Sequence, residues 1–191
     1  MKLKYLFVLL FFSIFTDAQN SFELEDTEKT VIPFKLIANL IFVPVNINGA
    51  DLTFMLDTGV AETSIFSLEN QELTLPNVEK IKFSGLGGTA SIDGFRSDNN
   101  VARIGKNFIN RSATLYIITE QDFNISSHVG IPVNGIIGYH FFKNHPIVID
   151  YYNRKITVYH HEDIFRKKLK GLKRLTSQLK KTNLICLPMW K

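Results

Sequence analysis

FMLDTGVAETSIF, residues 54–66, places an ionisable side chain at the point where a buried strand is expected to end. The apolar residues Phe54 to Leu56 are followed at once by Asp57, then by a hydroxyl on Thr58 and by Gly59. An ionised carboxylate is costly to bury without partners. Such a group is therefore paired, protonated or part of a functional site, which makes Asp57 the first candidate functional residue.

On both sides of this stretch the residue pattern predicts strands rather than helices. Apolar and β-branched runs alternate with turn signals, and Asn48-Gly49 is typical of a tight hairpin turn. A hairpin is also expected around Asn153, and a short helix around residues 139–143. The predicted strands are 31–37, 40–47, 52–56, 80–83, 114–119, 147–150 and 155–159.

Two further motifs lie downstream of Asp57. SGLGGTASIDG, residues 84–94, contains four glycines in eleven positions, and NGIIGYHFF, residues 134–142, sets two isoleucines between glycines. The glycine-rich segment has no lysine after it and lies between strands, which argues against a phosphate-binding loop. A flexible hairpin is the better interpretation of residues 84–94.

Taken together, these motifs resemble the bacterial retropepsin-like aspartyl protease family. The shared features are an active-site loop of the form hydrophobic-hydrophobic-Asp-Thr-Gly, paired strands before it, a glycine-rich segment at the position of the flap, an Ile-Ile-Gly segment before a short helix, and the closing hairpin PIVIDYYNRKITVY. The resemblance covers roughly residues 37–159. One departure is that Val60-Ala61-Glu62-Thr63 displaces the small residue and hydroxyl that usually follow the loop.

The resemblance implies an all-β fold, a small closed barrel of the retropepsin type, here followed by a C-terminal amphipathic helix. It also implies a peptide or protein substrate and no cofactor or metal. Its implied site residues are Asp57 as the catalytic acid; Thr58, Gly59, Ile136, Ile137 and Gly138 as support for the active-site loop; and Gly85, Leu86, Gly87 and Gly88 in a flap over the substrate.

The family mechanism needs two carboxylates, yet the sequence contains a single Asp-Thr-Gly. Asp150 ends another apolar strand, but Tyr151 and Tyr152 follow it, which favours a strand-end or turn acid. The second aspartate is therefore expected from another copy of the chain, in a homodimer, or from a second lobe. The alternative is a catalytically inactive peptide-binding or structural lobe of the same fold.

The N-terminus predicts export. A basic start, an apolar run of about ten residues and small residues at positions 16 and 18 are typical of a signal peptide over residues 1–18, too short to span a membrane.

The acidic residues 19–30 are expected to be flexible, and residues 31–160 to form the protease lobe. Cys186 is the single cysteine, so no internal disulfide is possible. Export does not distinguish periplasm, cell envelope and medium.

Residues 161–191 form a region of different character. Residues 19–161 carry 11 basic and 15 acidic residues, whereas residues 162–191 carry 9 basic and 2 acidic ones. This asymmetry gives no support to a nucleic-acid partner. Steps of three and four predict a basic amphipathic helix, which could pack on its own domain, on a second copy, on a missing domain or on an anionic surface. The apolar positions are Phe165, Leu169, Leu172, Leu175 and Leu179.

Other catalytic constellations have little support in the sequence. The five histidines form no His-x-x-x-His pair, and no Gly-x-Ser-x-Gly elbow is present. Asn110-Arg111-Ser112 and Asn124-Ile125-Ser126 have the form of glycosylation sequons. Such tripeptides arise easily by chance.

Overall fold

The computed structural model describes residues 21–68, 71–83, 92–119, 125–160 and, for the backbone alone, 184–187. Strands dominate these ranges, as the sequence predicted. The strands are β1 (Glu23–Leu24), β2 (Lys29–Pro33), β3 (Lys35–Ile37), β4 (Leu40–Ile47), β5 (Ala50–Leu56), β6 (Thr63–Ile65), β7 (Val78–Phe83), β8 (Ile92–Ile104), β9 (Phe108–Ile118), β10 (Gly135–Ile137), β11 (Ile147–Asp150), β12 (Lys155–Tyr159) and β13 (Leu184–Leu187). The helices are α1 (Ile125–Val129) and a 3₁₀ helix (Tyr139–Phe141).

The larger sheet has nine strands, with eight in the order β1-β9-β6-β10-β5-β4-β8-β7 and β3 paired to β4. The long strand β8 also pairs with β9, so that β8 contacts β4, β7 and β9. Two pairings are parallel, β10 with β5 and β6 with β9. The parallel pair β5–β10 matters most, because it brings two segments about eighty residues apart in sequence to the same end of the sheet.

The smaller sheet has the order β13-β11-β12-β2. Its central hairpin, β11–β12, has the bounds predicted from the sequence, and Ile149 pairs with Ile156 across it. Ile149, Ile156 and Ile32 of β2 occupy matching positions and are all buried. The inner face of this sheet thus closes one side of the core.

The core is aliphatic and aromatic, with contributions from both sheets. Fully buried rings include Phe54, Phe108 and Phe141, and the rings of Phe108 and Phe141 meet edge to face with centroids 5.4 Å apart. A second cluster of Phe42, Met55 and Val133 lies on the other face of β4 and β5, packed against α1. Buried polar side chains are few among the described residues and include Asn100, Asn110, Asn134 and His145.

The prediction that residues 19–30 are flexible was wrong for the part that the structure describes. Glu23 and Leu24 pair with β9, and Phe22 and Leu24 are buried in the core. The carbonyl of Phe22 also lies 3.1 Å from Nε2 of His145. The acidic composition hid the alternation of Phe22 and Leu24, whose apolar burial outweighs the charge of their exposed neighbours.

One predicted strand, residues 31–37, is divided in two. β2 ends at Pro33, which has no N–H to continue a ladder. Phe34 is then buried, its N–H donating to the carbonyl of Arg154, and β3 pairs with β4. The chain thereby passes from the smaller sheet to the larger one at this point.

Several predictions lie outside the described residues: the signal peptide over residues 1–18, the helix expected in residues 161–191, and the flap glycines. Within residues 161–191 only β13 is described, parallel to β11. Among the described segments, no helix is both long enough and apolar enough to span a membrane.

Candidate active site

Asp57 lies directly beyond the end of β5, where the parallel neighbour β10 holds the backbone in place. Gly135, Ile136 and Ile137 of β10 are in register with Phe54, Met55 and Leu56 of β5. The ladder continues one residue further, because the N–H of Asp57 donates to the carbonyl of Ile137 at 3.0 Å. The sheet therefore fixes the backbone of the acid itself.

The loop after β5 folds back on the Asp57 carboxylate. The N–H of Gly59 donates to Oδ1 of Asp57 at 2.8 Å, and the N–H of Val60 reaches its carbonyl at 3.4 Å. A β-carbon on Gly59 would lie 3.2 Å from Oδ1, a close contact that glycine avoids. Asp57 is half-buried and Thr58 and Gly59 are exposed, so the carboxylate is held in shape yet remains accessible.

Thr58 was predicted to brace a neighbouring loop through its hydroxyl. Its side chain is exposed and makes no hydrogen bond within the part of the chain that the structure describes. The role of Thr58 stays a prediction.

Ile136, Ile137 and Gly138 form a platform beneath the loop of residues 57–62. Ile137 is buried and Ile136 half-buried. Gly138 is pressed against the loop, since a β-carbon there would lie 2.2 Å from the carbonyl oxygen of Val60 and 3.2 Å from that of Glu62. The next residue, Tyr139, donates its N–H to the same Val60 carbonyl at 2.8 Å. The structure thus brings these three residues and the Asp57 loop together.

Asn134 is a site residue that the sequence reasoning did not single out. Its Oδ1 accepts the N–H of Thr53 at 2.8 Å and its Nδ2 donates to the carbonyl of Ser67 at 3.1 Å. Its backbone N–H also donates to the carbonyl of Thr53 at 2.8 Å. The side chain, 4% exposed, ties β10 to β5 and to the chain after β6. The sequence feature that could have indicated Asn134 is its position, as a polar amide directly before an apolar strand.

Glu62 and His140 form a second, side-chain connection between loop and platform. Nε2 of His140 lies 3.5 Å from Oε2 of Glu62, a contact that is an ion pair when the imidazole is protonated. The side chain of Glu62 is 43% exposed and that of His140 20% exposed. His140 also borders an interior cavity of about 10 Å³, which has space for about one water molecule. This contact was not foreseen from the sequence.

Tyr116 of β9 lies near Glu62 and near the ion pairs of the β7–β8 hairpin. Burial raises the pKa of the Tyr116 hydroxyl, and the negative charge of Glu62 raises it further, while Arg96 opposes both. Arg96 itself contacts Asp98 at 3.1 Å and Glu79 at 3.4 Å. The Tyr116 hydroxyl is therefore a neutral donor near the loop, and its ring lies 5.9 Å from that of Phe83.

The flap residues Gly85, Leu86, Gly87 and Gly88 lie outside the described residues. The strands that lead to them are described: β7 and β8 form an antiparallel hairpin whose last pair is Phe83 with Ile92. Lys80 and Asp93 form an ion pair of 2.9 Å near this end.

Asp150 acts as a turn acid, as its sequence context predicted. Its Oδ1 accepts the N–H of Asn153 at 2.9 Å and its Oδ2 accepts Nδ2 of Asn153 at 2.7 Å. Both oxygens are thus engaged in closing the β11–β12 turn. Asp57 is then the carboxylate with the strand-end placement that the Asp-Thr-Gly motif requires.

Among the described residues, no group of three or more histidine, cysteine, aspartate or glutamate side chains is arranged to hold a metal ion.

Comparison with known proteins agrees with this placement. A family model described as aspartyl protease matches residues 43–141, just over half of the chain. The matched region begins in β4, includes the Asp57 loop and ends with the 3₁₀ helix that follows Gly138. No curated protein matches the chain.

Proposed function

Because the chain belongs to the aspartyl protease family, we propose that it is an exported aspartic-type endopeptidase in which Asp57 is the catalytic acid. The observation that carries the proposal is the half-buried Asp57 carboxylate, which lies at the end of β5 and accepts a hydrogen bond from the Gly59 N–H. Export is supported by the N-terminal pattern of residues 1–18. The circuit of pairings from β9 through β6, β10, β5, β4 and β8 back to β9 supports a small closed barrel.

The chemistry uses two carboxylates that share one proton, since two close negative charges are not both stable. One carboxylate takes a proton from a water molecule, whose oxygen attacks the peptide carbonyl carbon. The other donates its proton to the carbonyl oxygen. The tetrahedral intermediate then breaks its C–N bond as the nitrogen takes the proton that the first carboxylate removed from water, and the second carboxylate recovers its proton from the hydroxyl formed on the carbonyl oxygen. In Asp57, Oδ1 accepts the Gly59 N–H, and Oδ2 has no partner among the described residues.

The second aspartate would come from another copy of the chain or from a second lobe. Support for this comes from the single Asp-Thr-Gly in the sequence and from Asp150, whose oxygens are both occupied in a turn. The substrate would be an extended peptide or protein segment, held between the Asp57 loop and the segment that joins β7 to β8. Backbone hydrogen bonds to such a segment give affinity without strict sequence choice.

The first test is cleavage of a peptide library by the chain starting at Gln19, from acidic to neutral pH, with and without pepstatin. Asp57→Asn should lower kcat/KM by about a thousandfold or more while leaving the fold intact, because the amide has no acidic proton to transfer. Asp51→Asn, in the strand β5 that leads to Asp57, is the matched control: Asp51 is exposed and accepts one hydrogen bond from Asn46. Activity that survives Asp57→Asn contradicts the assignment.

The second test asks where the other aspartate comes from. If it comes from a second copy, specific activity rises with protein concentration, and adding inactive Asp57→Asn chains to wild type lowers activity by forming mixed dimers. Light scattering gives the mass of the active species. A monomer without activity at any concentration would favour the inactive peptide-binding lobe instead.

A further inference from the structure

The loop of residues 57–62 is attached at three points to the platform and to the 3₁₀ helix that follows it. At its start, the Asp57 N–H donates to the Ile137 carbonyl, and in its middle the Val60 carbonyl accepts the Tyr139 N–H. Both of these are backbone contacts. At its end, just before β6, the attachment is the side-chain contact between Glu62 and His140.

His140 is placed so that its two ring nitrogens have different surroundings. Nε2 faces the Glu62 carboxylate, whereas Nδ1 is buried and has no hydrogen-bond partner among the described residues. A carboxylate accepts and does not donate, so this contact is favoured when Nε2 carries a proton. The adjacent cavity, bordered also by Thr63, Asn110 and Thr114, has space for about one water molecule that could serve Nδ1.

We propose that His140 is a positioning residue: through Glu62 it fixes the end of the Asp57 loop, and so the direction of the Asp57 carboxylate. The catalytic part of this inference rests on the proposed peptidase function. The physical reason is that the Glu62 carboxylate lies at the end of the loop, where its contact with His140 links the loop through side chains to the segment after Gly138. A partly exposed pair of this kind typically contributes up to about 1 kcal/mol, or roughly fivefold in a rate.

The contact is tested by two substitutions that separate the ring nitrogens. In His140→Gln the amide nitrogen occupies nearly the position of Nε2 and keeps a donor for Glu62, whereas in His140→Asn the amide corresponds to Nδ1. We expect His140→Asn and Glu62→Gln each to lower kcat about fivefold with KM within about twofold. His140→Gln should retain most of kcat. Glu72→Gln, at an exposed glutamate outside this region, is the matched control and should change nothing.

The double variant His140→Asn/Glu62→Gln shows whether the two residues act through each other. If they do, its loss of kcat is no greater than that of the worse single variant. Losses that multiply, or His140→Gln as impaired as His140→Asn, would overturn the proposal, since either result means that His140 acts by packing.

A readout independent of activity is amide hydrogen exchange, followed by NMR. In His140→Asn and Glu62→Gln, the N–H groups of Gly59 and Tyr139 should exchange about fivefold faster, with the Val43 N–H in β4 unchanged. Unchanged exchange at Gly59 and Tyr139 overturns the proposal. If wild type cleaves no peptide, the proposed function fails, and exchange still decides whether His140 positions the loop.

Discussion

Gly138 is the residue at which the platform and the Asp57 loop come closest. Its φ of −104° is available to any residue, so its need for glycine is one of space and not of backbone freedom. A β-carbon would lie 2.2 Å from the Val60 carbonyl oxygen, a distance that only backbone movement can relieve. The glycine therefore keeps the loop seated on the platform.

We expect Gly138→Ala to lower the free energy of unfolding by about 2 kcal/mol, within the range typical of overpacking. The clash should outweigh the few tenths of a kcal/mol that alanine usually gains by restricting the unfolded chain. Urea unfolding measures the difference. Gly59→Ala is the control, because its β-carbon would meet only the Asp57 side chain, at 3.2 Å. A Gly138→Ala protein as stable as wild type would show that the loop is not held at this distance.

Among individual residues, those that belong to a motif of adjacent residues could be predicted from the sequence. Asp57 and Gly138 belong to short local motifs. Asn134, which bonds Thr53, and His140, which contacts Glu62, act across about eighty residues. Those contacts depend on the register of β10 against β5, which no local pattern specifies.

The β11–β12 hairpin contains a turn in which the pKa of the Asp150 carboxyl is shifted. Burial raises the pKa of the Asp150 carboxyl, but the Asn153 side-chain and backbone hydrogen bonds, with the charge of Lys155, outweigh burial and hold that pKa below its usual range. The ionised form is thus favoured in the folded state. Its contribution to stability is present above the unfolded pKa of about 4 and is lost as the pH falls through the lower folded value.

We therefore expect Asp150→Asn to cost about 1 kcal/mol of unfolding free energy at pH 7 and progressively less below about pH 4. Chemical unfolding at a series of pH values measures this. Asp51→Asn, which removes an exposed carboxylate in another hairpin, should give a smaller difference at pH 7. A cost for Asp150→Asn that stays constant down to pH 2 would mean that shape, and not charge, closes the turn.

Among the elements, hairpins with clear turn residues were predicted best. β4 and the β11–β12 hairpin have their predicted bounds, since Asn48-Gly49 and the turn around Asn153 mark the ends of the strands. β1 and the break at Phe34 were missed. Both arise from tertiary burial, of Phe22 and Leu24 in one case and Phe34 in the other, which overrides acidic composition and strand propensity.

For the molecule as a whole, the buried apolar side chains that the structure describes all lie between Phe22 and Tyr159. The backbone of β13 is described as an edge strand beside Ile147–Asp150 of β11. A chain of residues 19–160 therefore contains the described core, although it leaves the β11 edge unpaired.

We expect the 19–160 chain to fold, with an amide NMR spectrum matching the full chain in β1 to β12 and an unfolding free energy lower by no more than about 2 kcal/mol. A chain ending at residue 187, which keeps β13, is the control. If the 19–160 chain is unfolded while the control folds, residues 161–187 contribute to the core itself.

The family and the all-β class could be recognised before the structure, because the motifs around Asp57 and Gly138 are separated by predictable strands. The order of strands in the larger sheet could not be, since the parallel pairings β5–β10 and β6–β9 join distant segments.

Because Asn110 is buried in the folded protein, its sequon can be glycosylated only before the sheet has formed. Its side chain is 1% exposed, and its Oδ1 accepts the N–H of Ser112 within β9. An oligosaccharyltransferase cannot reach this amide once β9 has paired. In a eukaryotic secretory host, a glycan at Asn110 would identify chains that were glycosylated before the sheet formed. The glycosylated fraction would therefore report how fast the sheet forms during translocation.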